Sequence, residues 1–243
     1  MSDTTGEQRT IGLLGGMSFE STALYYRLIN EDVRSRLGGV HSARILLRSY
    51  DFEDVIALQR AGDWQRAGDL LGDGAEALHR GGADLLLICT NTMHKVAAAV
   101  QARVPVPLVD IIDVAGAHIR ASGLSRVGLT GTAYTMEDGF FVDRLRDVHG
   151  LEVVIPPRED RAFLQWLIFY ELAAGRLTGR SRLELQRILD RLADAGAEGT
   201  ILGCTELELL LDEDENGPPL FPTTRLHARA AVDVALSPPE AVL

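Results

Sequence analysis

Two cysteines, Cys89 and Cys204, are the residues best suited to chemistry in this chain, and they are its only thiols. Cys89 ends the apolar run Leu85-Leu86-Leu87-Ile88 and is followed by Thr90-Asn91-Thr92-Met93-His94. Cys204 ends Thr200-Ile201-Leu202-Gly203 and is followed by Thr205-Glu206-Leu207. Each run is preceded by Gly-Ala and an acid, Gly82-Ala83-Asp84 and Gly196-Ala197-Glu198. Ile11-Gly12-Leu13 recurs as Val127-Gly128-Leu129 at the same separation to within one residue. Matched offsets of this kind indicate an internal duplication. A thiol at the end of a buried strand and the start of a helix can serve as acid or base, because the helix start favours the thiolate. One such thiol in each repeat is well suited to taking a proton from one face of a carbon and returning one to the other. A lone cysteine there would more often be a small apolar core residue; two at equivalent points favour the chemical reading.

The neighbouring polar residues extend that reading. The hydroxyls of Thr92, Thr132 and Thr205 and the amide of Asn91 are donors suited to carboxylate oxygens, and each is equally a helix-capping type. Glu206 lies two residues after Cys204, where it can orient or activate the thiol. Its alternative role is a favourable first-turn acid.

The elements that must position these residues alternate between strand and helix. Thr10 to Gly16 reads as a buried strand ending in a glycine turn, with Ser18 capping a helix that Gly38-Gly39 stops. Strands follow at Ala43 to Ser49, at Leu85 to Cys89 and at Leu108 to Ile112, the last after Pro105 and Pro107. Tyr50 to Ala61 reads as a loop, and Trp64 to Arg80 as a helix. A helix opens at Asn91-Thr92 and runs to about Arg103. The pattern restarts at Arg126, with strands at Val127 to Leu129, Leu151 to Ile155, Gly199 to Gly203 and Leu220-Phe221. Helices occupy about Met136 to Val148, Asp160 to Ala174, Ser181 to Ala195 and Leu226 to Leu236. Asp212 to Pro219 is an acidic surface loop. Short continuous apolar strands alternating with helices predict an α/β fold of two pseudo-symmetric lobes, each a mostly parallel sheet flanked by helices. The first lobe spans 10–113 and is rejoined by 220–243. The second spans 114–219, and residues 1–9 are a disordered N-terminus. Ligands in such folds bind beyond the carboxyl ends of the strands. The Gly15-Gly16 turn, Ser49, Cys89-Thr90, Thr130 to Thr132 and Cys204-Thr205 all fall there, and are expected to line one cleft between the lobes.

Composition narrows the partners. The 243 residues carry a formal net charge of -11, which argues against nucleic acid. No apolar run approaches the ~20 residues of a membrane span. The polar N-terminus has no signal-peptide core, and two free thiols suit a cytoplasmic location. The six histidines show no metal-ligand spacing with cysteine or carboxylate. Gly12 to Gly16 lacks the dinucleotide fingerprint, and there is no P-loop. Lys95 is the only lysine, which leaves a single candidate for a pyridoxal-phosphate Schiff base and weighs against that cofactor.

Taken together, Cys89-Thr90-Asn91-Thr92-Met93-His94, Gly203-Cys204-Thr205-Glu206 and Ile11-Gly12-Leu13-Leu14-Gly15-Gly16-Met17-Ser18 resemble the aspartate/glutamate racemase family. The resemblance is nearest its bacterial broad-specificity amino-acid racemase branch. It spans about residues 10 to 237 and includes Leu37 to Ser42, Asp51-Phe52 and Thr135-Met136-Glu137. It implies a cofactor-independent amino-acid racemase with a two-base mechanism, an amino acid as its small-molecule partner, and a homodimer. The family's usual first motif is Cys-Asn-Thr. Anchored on Asn91-Thr92, the acid/base position falls to Thr90, with Cys89 one residue early. Neighbouring strand side chains point to opposite faces, so only one of the pair faces the substrate while the strand persists. The resemblance thus names Cys204 as the base, working on the L face, with Thr90 or Cys89 on the opposite face and L-to-D turnover the faster. Its substrate-binding positions are Met17, Ser49, Gln59, Asn91, Thr92, Thr132 and Thr205. Aspartate and glutamate with relaxed specificity are the expected substrates. The alternatives are a decarboxylase, cis–trans isomerase or hydantoin racemase of the same fold, or a two-lobed amino-acid-binding protein without turnover.

Overall fold

A computed structural model describes residues 8–211 and 217–238. The expected disorder of residues 1–9 and the acidic loop at 212–219 fall largely outside these. The chain divides into two compact units. One runs to Asp110 and takes the chain back from His227; the other is Ile111–Leu226.

The first unit contains β1 (Ile11–Gly15), α1 (Phe19–Leu37), β2 (Ile45–Ser49), α2 (Phe52–Ala61), α3 (Trp64–Arg80), β3 (Leu85–Ile88) and α4 (Ala97–Gln101). Its sheet is parallel, in the order β2-β1-β3. The registers are Ile11↔Ile45 through Gly15↔Ser49 on one side and Ile11↔Leu85 through Leu14↔Ile88 on the other. β3 is a continuous apolar run because both faces of the strand are covered. Leu85 and Leu87 join Ile11 and Leu13 against Tyr25, Ile29 and Val33 of α1. Leu86 and Ile88 join Leu14 on the other face, against Val55 of α2 and Leu71, Ala75 and Leu78 of α3. All four β3 side chains are fully buried, and each contributes about 2 kcal/mol of apolar transfer.

The second unit contains α5 (Ile111–Ala121), β4 (Arg126–Gly131), α6 (Ala133–Glu137), α7 (Phe140–His149), β5 (Glu152–Val154), α8 (Arg158–Trp166), α9 (Gly179–Asp194), β6 (Thr200–Gly203) and β7 (Leu220–Pro222). Its sheet is also parallel, in the order β5-β4-β6-β7. Within each sheet the first strand in sequence is flanked by the second and the third, so the repeated motifs occupy repeated topological places. α10 (Thr223–Leu236) begins in this unit and continues as the returning segment of the first. Its Ala228, Ala231, Val232 and Ala235 pack with Ile11 and Leu87. Among the described residues no helix is long and apolar enough to cross a membrane.

Several elements differ from the sequence expectations, each for a local reason. Residues 52–61 form a helix, not a loop: the Asp51 side chain accepts the Glu53 amide and Gly62 closes the other end in the left-handed region. Leu108 to Ile112 is not a strand. A single bridge joins Leu108 to Leu86, the Val109 carbonyl is taken by His227 Nε2 at 2.8 Å, and α5 starts at Ile111. The helix expected after Asn91-Thr92 begins as a 3₁₀ turn at Thr92–Val96 and becomes α-helical only at Ala97. The helix expected to reach Ala174 gives way after Trp166 to a π turn over Leu167–Glu171. Leu220–Pro222, assigned by sequence to the first lobe, pairs with β6 in the second sheet.

Candidate active site

In the second unit the site grows from two adjacent strand ends. β4 and β6 pair in parallel with Gly131 opposite Gly203, so Thr132 and Cys204 are the next residues out of the sheet. Both glycines are required by the closeness of the ends. A Cβ on Gly203 would lie 2.6 Å from the Thr130 carbonyl oxygen, and one on Gly131 would lie 2.8 Å from the Gly203 carbonyl oxygen. Thr132 caps α6 by accepting the Thr135 amide, and its hydroxyl lies 3.1 Å from that of Thr135. Thr205 opens a 3₁₀ helix over Thr205–Leu210 and is buried.

Cys204 keeps extended backbone geometry and is 7% exposed. Its thiol donates to Glu206 Oε2 at 3.1 Å. The 3₁₀ turn makes this possible by bringing the residue two positions on back over the sulfur. Burial raises the Cys204 pKa well above the ordinary thiol value, and the Glu206 carboxylate raises it further. The expectation that a helix start would ease ionisation is therefore reversed. The helix here is two short 3₁₀ turns, Glu206 lies beside the sulfur, and the resting group is a thiol aimed at a carboxylate.

Glu208 lies two residues further on. Its Oε1 accepts the Thr224 amide at 3.1 Å, and its Oε2 lies 3.5 Å from Arg225 Nε. The side chain is 3% exposed, and burial pushes its pKa up to about 7 from 4.5. A carboxyl whose folded pKa is raised favours the folded state while protonated. That contribution is lost as pH climbs from about 4.5 to about 7. The loss is roughly 3 kcal/mol at complete ionisation. Glu208→Gln keeps an acceptor for the Thr224 amide without the charge. Its melting temperature should exceed the wild-type value at pH 8, and the gap should close near pH 5. A gap independent of pH would remove this account.

In the first unit the strand ends are level in the same way. Gly15 is opposite Ser49, and the Cys89 amide donates to the Leu14 carbonyl at 2.9 Å. Cys89 continues the alternation of Leu85 and Leu87. It is 0% exposed, in the cluster with Tyr25, Ile29 and Ala231, and burial raises its thiol pKa strongly. Thr90 lies past the end of the strand, in a bend, and is half-buried. Its amide donates to the Ile88 carbonyl at 2.8 Å, and its carbonyl lies 2.8 Å from His94 Nδ1. Asn91 and Thr92 are buried at the start of the 3₁₀ turn, where Asn91 makes no side-chain cap. Gln59, carried inward by α2, is buried and donates to Met93 Sδ at 3.2 Å. Met17 belongs to the same apolar cluster as Met93 and Val55. Ser49 is exposed on β2, where a Cβ on Gly16 would lie 2.8 Å from its hydroxyl. Met17, Gln59 and the Asn91-Thr92 turn thus converge through Met93, while Ser49 stands at the edge of the sheet.

Sequence reasoning assigned no role to Glu208, His94 or His227. For Glu208 the sequence carried no signal, since an acid next to an acidic loop reads as solvated. For His94 the signal was its four-residue spacing from Thr90.

The Asp/Glu/Hydantoin racemase family model matches residues 14–231. Among solved structures, a candidate Asp/Glu racemase from Yersinia pestis is 44% identical, with a TM-score of 0.88 over 94% of this chain and 100% of that one. An aspartate racemase homologue from Pyrococcus horikoshii is 34% identical, with a TM-score of 0.82 over 94% and 100%. The glutamate racemase of Pseudomonas paraeruginosa is 31% identical over 58% of this chain and 49% of its own length. These likenesses support a racemase, and the chain belongs to the Asp/Glu/hydantoin racemase family.

Proposed function

We propose that this protein is a cofactor-independent amino-acid racemase acting on aspartate, glutamate or a broader set, with Cys204 and Thr90 serving opposite faces of the α-carbon. The observation that carries the reading is the buried Cys204 thiol donating to Glu206. It provides a base with somewhere to send its own proton. As Cys204 sulfur takes the α-proton, its thiol proton passes to Glu206, and the C–H electron pair stays on the substrate as a carbanion delocalised into the carboxylate. Thr90 then passes a proton to the other face, its hydroxyl taking one from solvent water as it gives one up, and Glu206 releases the proton it received to solvent. Thr90 is favoured over Cys89 because Cys89 is fully buried in the apolar cluster beneath α1, whereas Thr90 is half-buried in the bend that follows the strand. A threonine hydroxyl is a weak acid, so it works as a relay, and the expected asymmetry is faster L-to-D than D-to-L turnover. The donors of Asn91, Thr92, Thr132 and Thr205 hold the substrate carboxylates in this reading. The substrate is the small-molecule partner, the compartment is the cytoplasm, and the assembly is a homodimer, which sedimentation velocity would test.

The test is to incubate each enantiomer of aspartate and glutamate separately in deuterium oxide. Deuterium at Cα of the inverted product, with unequal initial rates for L and D, is the expected result. No exchange from any amino acid would refute racemisation, and equal rates would remove the asymmetry.

A further inference from the structure

Thr90 is held at both ends of its peptide unit, and its carbonyl is held by a side chain. At the start of an α-helix the residue four positions on would donate its own amide to that carbonyl. Here the His94 amide bonds instead to the Asn91 carbonyl at 3.0 Å, giving the 3₁₀ turn, and the His94 ring nitrogen Nδ1 takes the Thr90 carbonyl at 2.8 Å. A carbonyl oxygen only accepts, so Nδ1 carries the proton.

The His94 ring is in turn oriented by a buried aromatic. It packs edge-on against His227, with centroids 5.6 Å apart and planes at 69°. His227 is itself fixed at both nitrogens. Its Nε2–H donates to the Val109 carbonyl at 2.8 Å, and its Nδ1 accepts from the Tyr25 hydroxyl at 2.8 Å. His227 and Tyr25 are both 0% exposed. Burial lowers the His227 pKa to about 3, so this arrangement of one donor and one acceptor persists across the neutral range.

Among the described residues the second unit has no such device after Cys204. Four residues after Cys204 stands Glu208, which bonds the Thr224 amide; the Cys204 carbonyl takes the Leu207 amide at 3.2 Å. The contrast has a chemical reason. A thiol beside a carboxylate can transfer a proton through its own acidity. A threonine hydroxyl can do so only as a relay, and a relay works only when its oxygen is held in one place.

We propose that His94 is a positioning residue for Thr90: its Nδ1–H bond to the Thr90 carbonyl sets the bend that aims the hydroxyl, and the Tyr25–His227 pair holds His94 in place. This rests on the reading of Thr90 as the second acid/base group.

The test compares His94→Leu with His94→Asn, side chains of similar size and branching of which only the second keeps an N–H near the Nδ1 position. Both lose the ring against His227 equally. In deuterium oxide with L-aspartate or L-glutamate, wild-type enzyme is followed for label in recovered L-isomer and in D-product. His94→Leu should lower kcat for D-product about 10- to 100-fold with KM changed less than about threefold. It should continue to exchange deuterium into the L-isomer, because that needs only Cys204 and Glu206. His94→Asn should restore D-product formation to within a few-fold of wild type. Equal losses in the two variants, or wild-type turnover in His94→Leu, would overturn the proposal. The ring tautomer is an independent check that needs no turnover. Nitrogen-15 spectra of the wild-type protein should show the His94 proton on Nδ1 at neutral pH, and a proton on Nε2 alone would refute the bond. A wild-type protein that racemises nothing yet shows the Nδ1 proton would retire the function assigned to Thr90 and with it this role. A wild type that racemises but lacks that proton would retire the role alone.

Discussion

Cys204→Ala should abolish racemisation, lowering kcat by at least about a thousandfold, because in the proposed reaction it removes the group that takes the α-proton. The loss should not come from unfolding. Cys204 sits at the end of β6 against Leu207 and Leu210, and trimming one sulfur from such a place costs on the order of 1 kcal/mol. Cys204→Ser should be nearly as inactive. It keeps a hydroxyl within reach of Glu206, but an alcohol is a far weaker acid than a thiol, so proton transfer to the carboxylate becomes strongly uphill. The matching control is Cys89→Ala. Its sulfur lies among Tyr25, Ile29 and Ala231, so that variant should lower the melting temperature while leaving kcat within a few-fold of wild type. Thr90→Ala should fall between the two and keep deuterium exchange into the L-isomer. The measurement is chiral chromatography of both enantiomers alongside thermal melts. Turnover surviving in Cys204→Ala, or vanishing in Cys89→Ala with the fold intact, would reverse the assignment of the two sulfurs.

That assignment shows how far the amino-acid order alone could be read. The apolar runs at 11–14, 85–88, 127–129 and 200–203 were plain, because strands covered on both faces need no polar residue in between. The repeated motifs predicted two sheets of like plan, and the strand orders are alike. Alternation along β3 also bore on Cys89. Leu85 and Leu87 pack with α1, and Cys89, two further on, lies in the same cluster. What was missing was where the strand ends: it stops at Ile88, and Thr90 stands in a bend beyond it.

The failures share a cause: they depend on atoms brought back by a turn. Residues 52–61 read as a loop because Glu53, Asp54 and Arg60 hide a sparse buried stripe at Val55, Ile56 and Gln59, of which only the first two are apolar. The Asp51 cap tips that balance. Leu108 to Ile112 looked like a strand on hydrophobicity alone, but the Val109 carbonyl is taken by His227 from far along the chain and α5 begins at Ile111. The Cys204 pKa was expected to fall on the strength of a helix start. Whether an acid two residues later stabilises the thiol or the thiolate depends on where its oxygen lies, and only the 3₁₀ turn decides that.

Glu206→Gln separates the two effects that the carboxylate has on the thiol. Its charge and its hydrogen bond raise the Cys204 pKa. In the proposed reaction it also receives the thiol proton. Glutamine has nearly the same shape, and its amide oxygen still accepts from sulfur, but it carries no charge and cannot take the proton. The thiol should therefore ionise more easily in the variant. Its thiolate absorbance and alkylation should appear at lower pH than in wild type. Turnover should move the opposite way, falling about 100-fold, the usual worth of a positioned acid–base partner. A carboxylate that only held the turn in place would be expected to shift stability, and Glu206→Gln should leave the melting temperature almost unchanged. If the variant ionised more readily and also turned over faster, Glu206 would be a brake on the sulfur, and the proton relay from Cys204 would have to be abandoned.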